Sequence, residues 1–150
     1  MKNIFHTEDS HDFVNRINQL TPESKALWGN MNVAQMLAHC NVAYEMAYED
    51  IHPRPNAFVR MILKLLVKNS VVSEKPYPKN NHTAPQFIIK EERNFDIEKD
   101  RLIAYLNKTN KLGETNFEGK ESLSFGKLSA VEWNNMFAKH LDHHLNQFGV

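Results

Sequence analysis

Apolar positions recur along this chain at three- and four-residue intervals while strict alternation is scarce, which is the pattern of helices rather than strands. Phe13, Ile17 and Leu20 share one face of a helix predicted over 10–20, with Thr21-Pro22 ending it. A second helix is predicted from about Asn32 to Tyr48, where Asn32-x-x-Gln35 has the form of a capping box. Pro53 and Pro55 interrupt the path, and a third helix follows over 56–68. Residues 71–93 carry Pro76, Pro78, Pro85 and the polar run Lys79-Asn80-Asn81-His82, so they read as a long loop with a short extended piece at Phe87-Ile88-Ile89. A loop of that length in a compact domain is a candidate roof for a site. A fourth helix is predicted over 96–109, Gly113 and Gly119 mark the next loop, and the last helix opens at Ser129 with Glu132 completing a second capping box. With no repeat, low-complexity tract or composition break, residues 1–150 read as one all-α domain.

The chemistry lies in histidines that fall on apolar faces. In the last helix His140, His143 and His144 sit within Lys139-His140-Leu141-Asp142-His143-His144-Leu145-Asn146-Gln147-Phe148. At about 100° per residue, setting His140 at zero places Trp133, His144, Phe137 and Phe148 between roughly +20° and +80°. His143 falls near −60°, at the border of the stripe, and Asp142 points to the far side. In the second helix His39 lies at the edge of the face that carries Met36, Ala43 and Ala47. An i,i+4 histidine pair can grip one ion, as in the H-E-x-x-H zinc motif. A third imidazole from a facing helix would give a three-histidine site with open positions. The candidate ligands are therefore His39, His140 and His144. His143 and Gln147 are secondary candidates; so is Gln35, which could orient a ligand or simply cap its helix. Against this stands the plainer alternative that a buried histidine is a hydrogen-bonded core residue, which for His39 alone is the better reading.

Other features change the picture less. Cys40 projects about 100° from His39 and reads as a core cysteine. Trp28 and Trp133 could line the site mouth, although packing explains both equally. Arg60, Lys64 and Lys68 mark one edge of the third helix, which suits a bundle cover or dimer contact better than a membrane-surface helix. His6, His11, His52 and His82 need no functional account, and Glu91-Glu92-Arg93 reads as solvated surface. Lys+Arg 18 against Asp+Glu 18 argues against a general nucleic-acid partner and favours self-association. A single cysteine excludes an internal disulfide and a Cys-rich zinc module. The opening residues lack a signal-peptide apolar core, and Lys64 breaks the apolar run at Met61-Ile62-Leu63. The expectation is a cytoplasmic protein with no stable membrane association.

Two segments resemble a known family. Trp28-Gly29-Asn30-Met31-Asn32-Val33-Ala34-Gln35-Met36-Leu37-Ala38-His39 is similar to the second-helix signature of the DinB/YfiT-like superfamily. Ser124-Phe125-Gly126-Lys127-Leu128-Ser129-x-x-Glu132-Trp133, with Lys139-His140-Leu141-Asp142-His143-His144-x-x-Gln147-Phe148-Gly149, resembles its last helix, in a branch named as a domain of unknown function. The resemblance implies an up-down-down-up four-helix bundle, here with one additional helix and long loops. It also implies a nickel or zinc ion on His39, His140 and His144, and a thiol-dependent transferase or isomerase activity with a mycothiol-, bacillithiol- or glutathione-like cofactor. The family's usual Arg-Gly-Gln after the second histidine stands here as Leu145-Asn146-Gln147, which removes a possible anion contact.

Two functions compete at this level. One is a metal-dependent transferase or hydrolase acting on a small molecule, in which the ion lowers the pKa of a bound water or thiol. Neither Glu45 nor Asp142 shares a face with its neighbouring histidine, which disfavours a carboxylate general base. The other is a metal-binding, dimerising helical module without turnover.

Overall fold

The computed structural model describes residues 1–150, and its regular structure is helical apart from one hairpin of two two-residue strands. The elements are α1 (Thr7–Gln19), α2 (Val33–Tyr48), α3 (Ala57–Leu66), α4 (Lys68–Val72), a 3-10 turn at Pro85–Phe87, α5 (Phe95–Phe117), β1 (Glu121–Ser122), β2 (Gly126–Lys127) and α6 (Ala130–Gln147). β1 and β2 pair antiparallel, with Glu121 opposite Lys127.

The four long helices α1, α2, α5 and α6 pack on one another, and α2 is the most enclosed. Every residue of α2 from Val33 to Glu45 is buried except Gln35, so its polar members must be satisfied internally. One cluster of buried apolar side chains runs from Ile4 to Phe148, drawing on all four helices. At its centre Tyr44 stacks on Phe137 at 4.6 Å and on Tyr105 at 5.7 Å, while Phe117 meets Trp133 edge-on at 5.5 Å.

Both predicted capping boxes form. The Asn32 side chain accepts from Gln35 N at 2.8 Å, and Gln35 Oε1 accepts from Asn32 N at 3.1 Å. Ser129 and Glu132 exchange the same pair of bonds at the start of α6. These caps fix where α2 and α6 begin, and so fix the phase at which each presents its histidines.

The boundaries differ from the sequence pattern in four places. α1 starts three residues early, because Asp9 Oδ2 accepts from Asn3 N at 2.7 Å and Ile4 N donates to Asn134 at 2.8 Å, which pins the terminus onto the bundle. The third predicted helix is two, parted at Val67, and α4 packs on α6 instead of continuing α3. α5 runs past Thr109 to Phe117, with one break at Gly113 (φ +69°), and Phe117 beyond that break is fully buried. Phe87 closes a 3-10 turn instead of opening the extended piece, and Ile88 after it is extended. No helix is long and apolar enough to cross a membrane.

Candidate metal centre

α2 and α6 pack together and carry His39, His140 and His144 to a single point. One ring nitrogen from each lies within 4.8 Å of the others, so the three can hold a metal ion between them. His39 and His144 are buried, whereas His140 is deep in the fold but keeps part of its ring open to a cavity.

Hydrogen bonds on the outer nitrogens set the tautomers. His39 Nδ1 lies 2.7 Å from the Phe87 carbonyl, which can only accept, so Nδ1 carries the proton. His144 Nδ1 donates to Gln147 Oε1 at 2.8 Å, and Gln147 Nε2 in turn donates to the Trp28 carbonyl at 2.6 Å. Neutral His39 and His144 therefore present Nε2 lone pairs inward. Nε2 of His39 stands 2.9 Å from Nε2 of His140. Two ring nitrogens at that distance must share a proton or a cation, since facing lone pairs repel.

Electrostatics keep the cluster in its ligating form. Burial, followed by the other imidazoles, holds His140 well below the usual histidine range. Burial also pulls His144 down to about 3, opposed by its bond to Gln147. His39 is lowered by burial against the Phe87 carbonyl, which pulls the other way. Neutral imidazoles with oriented inner nitrogens fit a borderline divalent ion such as zinc or nickel, and the carbonyl and amide behind them are the outer partners such ligands usually have.

The secondary candidates separate. Gln147 orients His144. Gln35 caps α2 and also lines the cavity. His143 stands outside the triad, its ring 5.1 Å from that of His144 and 5.9 Å from Trp28. Both tryptophans line the cavity: Trp28 is half-buried with Lys79 Nζ 4.2 Å from its ring centroid, while Trp133 reaches the cavity from the core and donates Nε1 to Lys120 O at 3.3 Å. Cys40 is fully buried against Met36, and burial pushes its thiol up, so it is no nucleophile.

Three contributors were not visible in the sequence. The Phe87 carbonyl comes from the long loop 48 residues away and carries no side-chain signal. Gly29 (φ +80°) lies against Gln147, whose Nε2 would be 2.6 Å from a Cβ there. His52 bonds Glu45 at 2.8 Å, and Arg101 bonds the same carboxylate at 2.5 Å. Glu45 is therefore fully engaged, and Asp142 is held by Arg16 at 2.7 Å.

The cavity in front of the triad measures about 830 Å³. α2, α3, α4, the 80–89 segment, the hairpin turn and α6 enclose it. Fold and site together define an all-α protein with a buried three-histidine centre opening on a ligand-sized cavity. The chain belongs to the family DUF1569, described as a protein of unknown function, whose model matches residues 2–149. Comparison with curated proteins and with solved structures gives no match.

Proposed function

We infer that this protein is a metal-dependent enzyme of the DinB-like superfamily, a transferase or hydrolase acting on a small molecule, with His39, His140 and His144 as its zinc or nickel ligands. The observation that carries this reading is the convergence of three ring nitrogens within 4.8 Å, two of them with their outer nitrogens already committed. When bound, the ion would act as a Lewis acid, acidifying a coordinated water or thiol near neutral pH. The chain's own part is to hold the rings through Phe87 and Gln147, and to offer a cavity in front of them. No carboxylate lines that cavity, so a proton leaving the reacting atom would pass to an imidazole, and His143 lies on the wall beside His144. Packing of α1, α2, α5 and α6 supports the up-down-down-up arrangement of that superfamily in one domain. Cytoplasmic location and a homodimer belong to the same proposal.

Metal analysis of the untagged protein tests the centre. About one equivalent of zinc or nickel is expected, and it should be lost in the His39→Ala, His140→Ala double variant; metal-free wild-type protein able to bind neither ion sinks the reading. Turnover of simple esters or thiol–electrophile pairs by loaded protein tests catalysis. A second reading, a metal-binding module without turnover, draws on the engagement of both nearby carboxylates by cations. It predicts metal binding with silence across those assays.

A further inference from the structure

The walls of the cavity are unusual in what they lack. Of its 32 lining residues none is Asp, Glu, Lys or Arg, in a chain that is 24% charged. The two lysines in the vicinity are both occupied. Lys79 stacks on Trp28, and Lys139 donates to the carbonyls of Ser70 and Ser73 at 2.9 and 2.5 Å. Both line a neighbouring pocket that shares Trp28, Tyr77 and His143 with the main cavity, and neither lines the main cavity itself. Apart from the triad, the titratable groups on the main walls are His82, His143 and the Tyr77 phenol.

The lining is of two kinds. Met31, Met46, Leu63, Val71, Phe125 and Met136 are among the apolar side chains that make up half of its residues. Asn80, Asn81, Thr83 and Gln86 form an exposed rim that offers amides and a hydroxyl but no charge. A cavity of this size accommodates a drug-sized ligand, and apolar walls with a few neutral polar groups set the chemistry it accepts.

We propose that the cavity takes an uncharged, mainly apolar small molecule with one metal-ligating head, and that it rejects ligands whose bodies carry carboxylates. The inference rests on the metal centre only for the head. Three neutral histidines leave a divalent ion with two positive charges, enough to match one anionic donor atom at the triad. A second anion further along the ligand would find neither a guanidinium nor an ammonium among the lining residues, and an unpaired buried charge is strongly unfavourable. Glutathione- and bacillithiol-like cofactors, which carry carboxylates away from the sulfur, are therefore poor occupants.

The test uses full-length protein, zinc-loaded and metal-free, with the neutral fluorophore N-phenyl-1-naphthylamine as reporter. Enhanced fluorescence is expected in both forms, because the apolar walls do not depend on the ion. Displacement from loaded protein then compares hexanethiol with 6-mercaptohexanoate, which have the same head and length and differ by one remote carboxylate. Hexanethiol should compete at least about tenfold more strongly, with glutathione weaker still, given the cost of an unpaired carboxylate. Gln86→Arg, on the exposed rim, should narrow that ratio by supplying a counter-cation without touching the core. Equal or tighter binding of 6-mercaptohexanoate or glutathione to the wild type overturns the proposal, as does a ratio that Gln86→Arg leaves unmoved. If zinc fails to bind, the metal reading fails alone: the same comparison between hexanol and hexanoate in metal-free protein still decides the cavity's preference.

Discussion

A buried imidazole has two nitrogens to satisfy, and the residues behind the triad decide which one remains for a ligand. Gln147 accepts from His144 and donates to Trp28, so it ties the ring to the chain just before α2. Gln147→Leu should lower zinc affinity by roughly 10–100-fold, the usual effect of removing such a partner. Competition with a calibrated chelator would measure it, and unchanged affinity would remove Gln147 from the centre. Acid tests the same groups from another side. The pKa of His144 in the fold is about 3, far below the 6.5 of an ordinary histidine, so between those values the unfolded chain binds the extra proton. Stability of metal-free protein should be full above about pH 6.5 and fall as the pH drops toward 3, by up to about 1.4 kcal/mol per unit for each such histidine. Urea titrations at stepped pH check this, and His144→Gln should flatten the slope. At this scale the candidate ligands were legible because helical spacing placed His140 and His144 on an apolar stripe. The Phe87 carbonyl was not, since a backbone acceptor in a loop has no residue type to betray it. The pairing of His52 with Glu45 was equally hidden, because it depends on how the chain turns after α2.

Among the elements, capping chemistry was the most readable: Asn32-x-x-Gln35 and Ser129-x-x-Glu132 mark the starts of the two helices that carry the clustered histidines, and both boxes form. Helix ends were harder. A glycine inside a helical pattern can stop the helix or only interrupt it, and at Gly113 burial of Phe117 draws the chain back into helix. Gly113→Ala should cost about 1–3 kcal/mol, because φ +69° with ψ 174° is a region that residues with a Cβ hardly enter, even though the space there is open. Chemical denaturation measures it, and a neutral result would mean that the break relaxes into continuous helix. α3 is the least settled by its own packing. It buries no residue, with Phe58, Leu65 and Leu66 exposed at 66%, 72% and 78%, while Leu63 turns toward the cavity. Periodicity predicted the amphipathic helix but could not say what its apolar face meets. Replacing Leu65 and Leu66 with lysine should leave unfolding free energy within about 0.5 kcal/mol of wild type, as for exposed positions generally. Sedimentation over a concentration series should show self-association weakened in that variant if the proposed dimer uses α3; an unchanged profile places the contact elsewhere.

For the molecule as a whole, the centre links elements that are remote in sequence. His39 and His140 are 101 positions apart, and their nitrogens meet only when α2 and α6 are packed on the common core. The unfolded chain has no such site, so an ion that binds the native form must stabilise it by an amount set by its concentration relative to Kd. At about 100 times Kd the increment is roughly 2.7 kcal/mol. For a chain of this size each kcal/mol moves Tm by about 2–4 °C, so saturating zinc should raise the midpoint by roughly 5–11 °C over chelator-treated protein. His39→Ala should abolish that increment. Leu106→Ala serves as the control: Leu106 is fully buried on α5, which contributes no ligand, and truncating it should cost about 2–5 kcal/mol. That variant should melt lower with and without zinc yet keep the full gap between the two, because the lost core contact and the metal site act on separate parts of the bundle. Calorimetry on the three proteins, each with zinc and with chelator, separates the terms. A zinc increment that survives in His39→Ala would locate the ion somewhere other than between α2 and α6, and the cavity would then lose its reactive end.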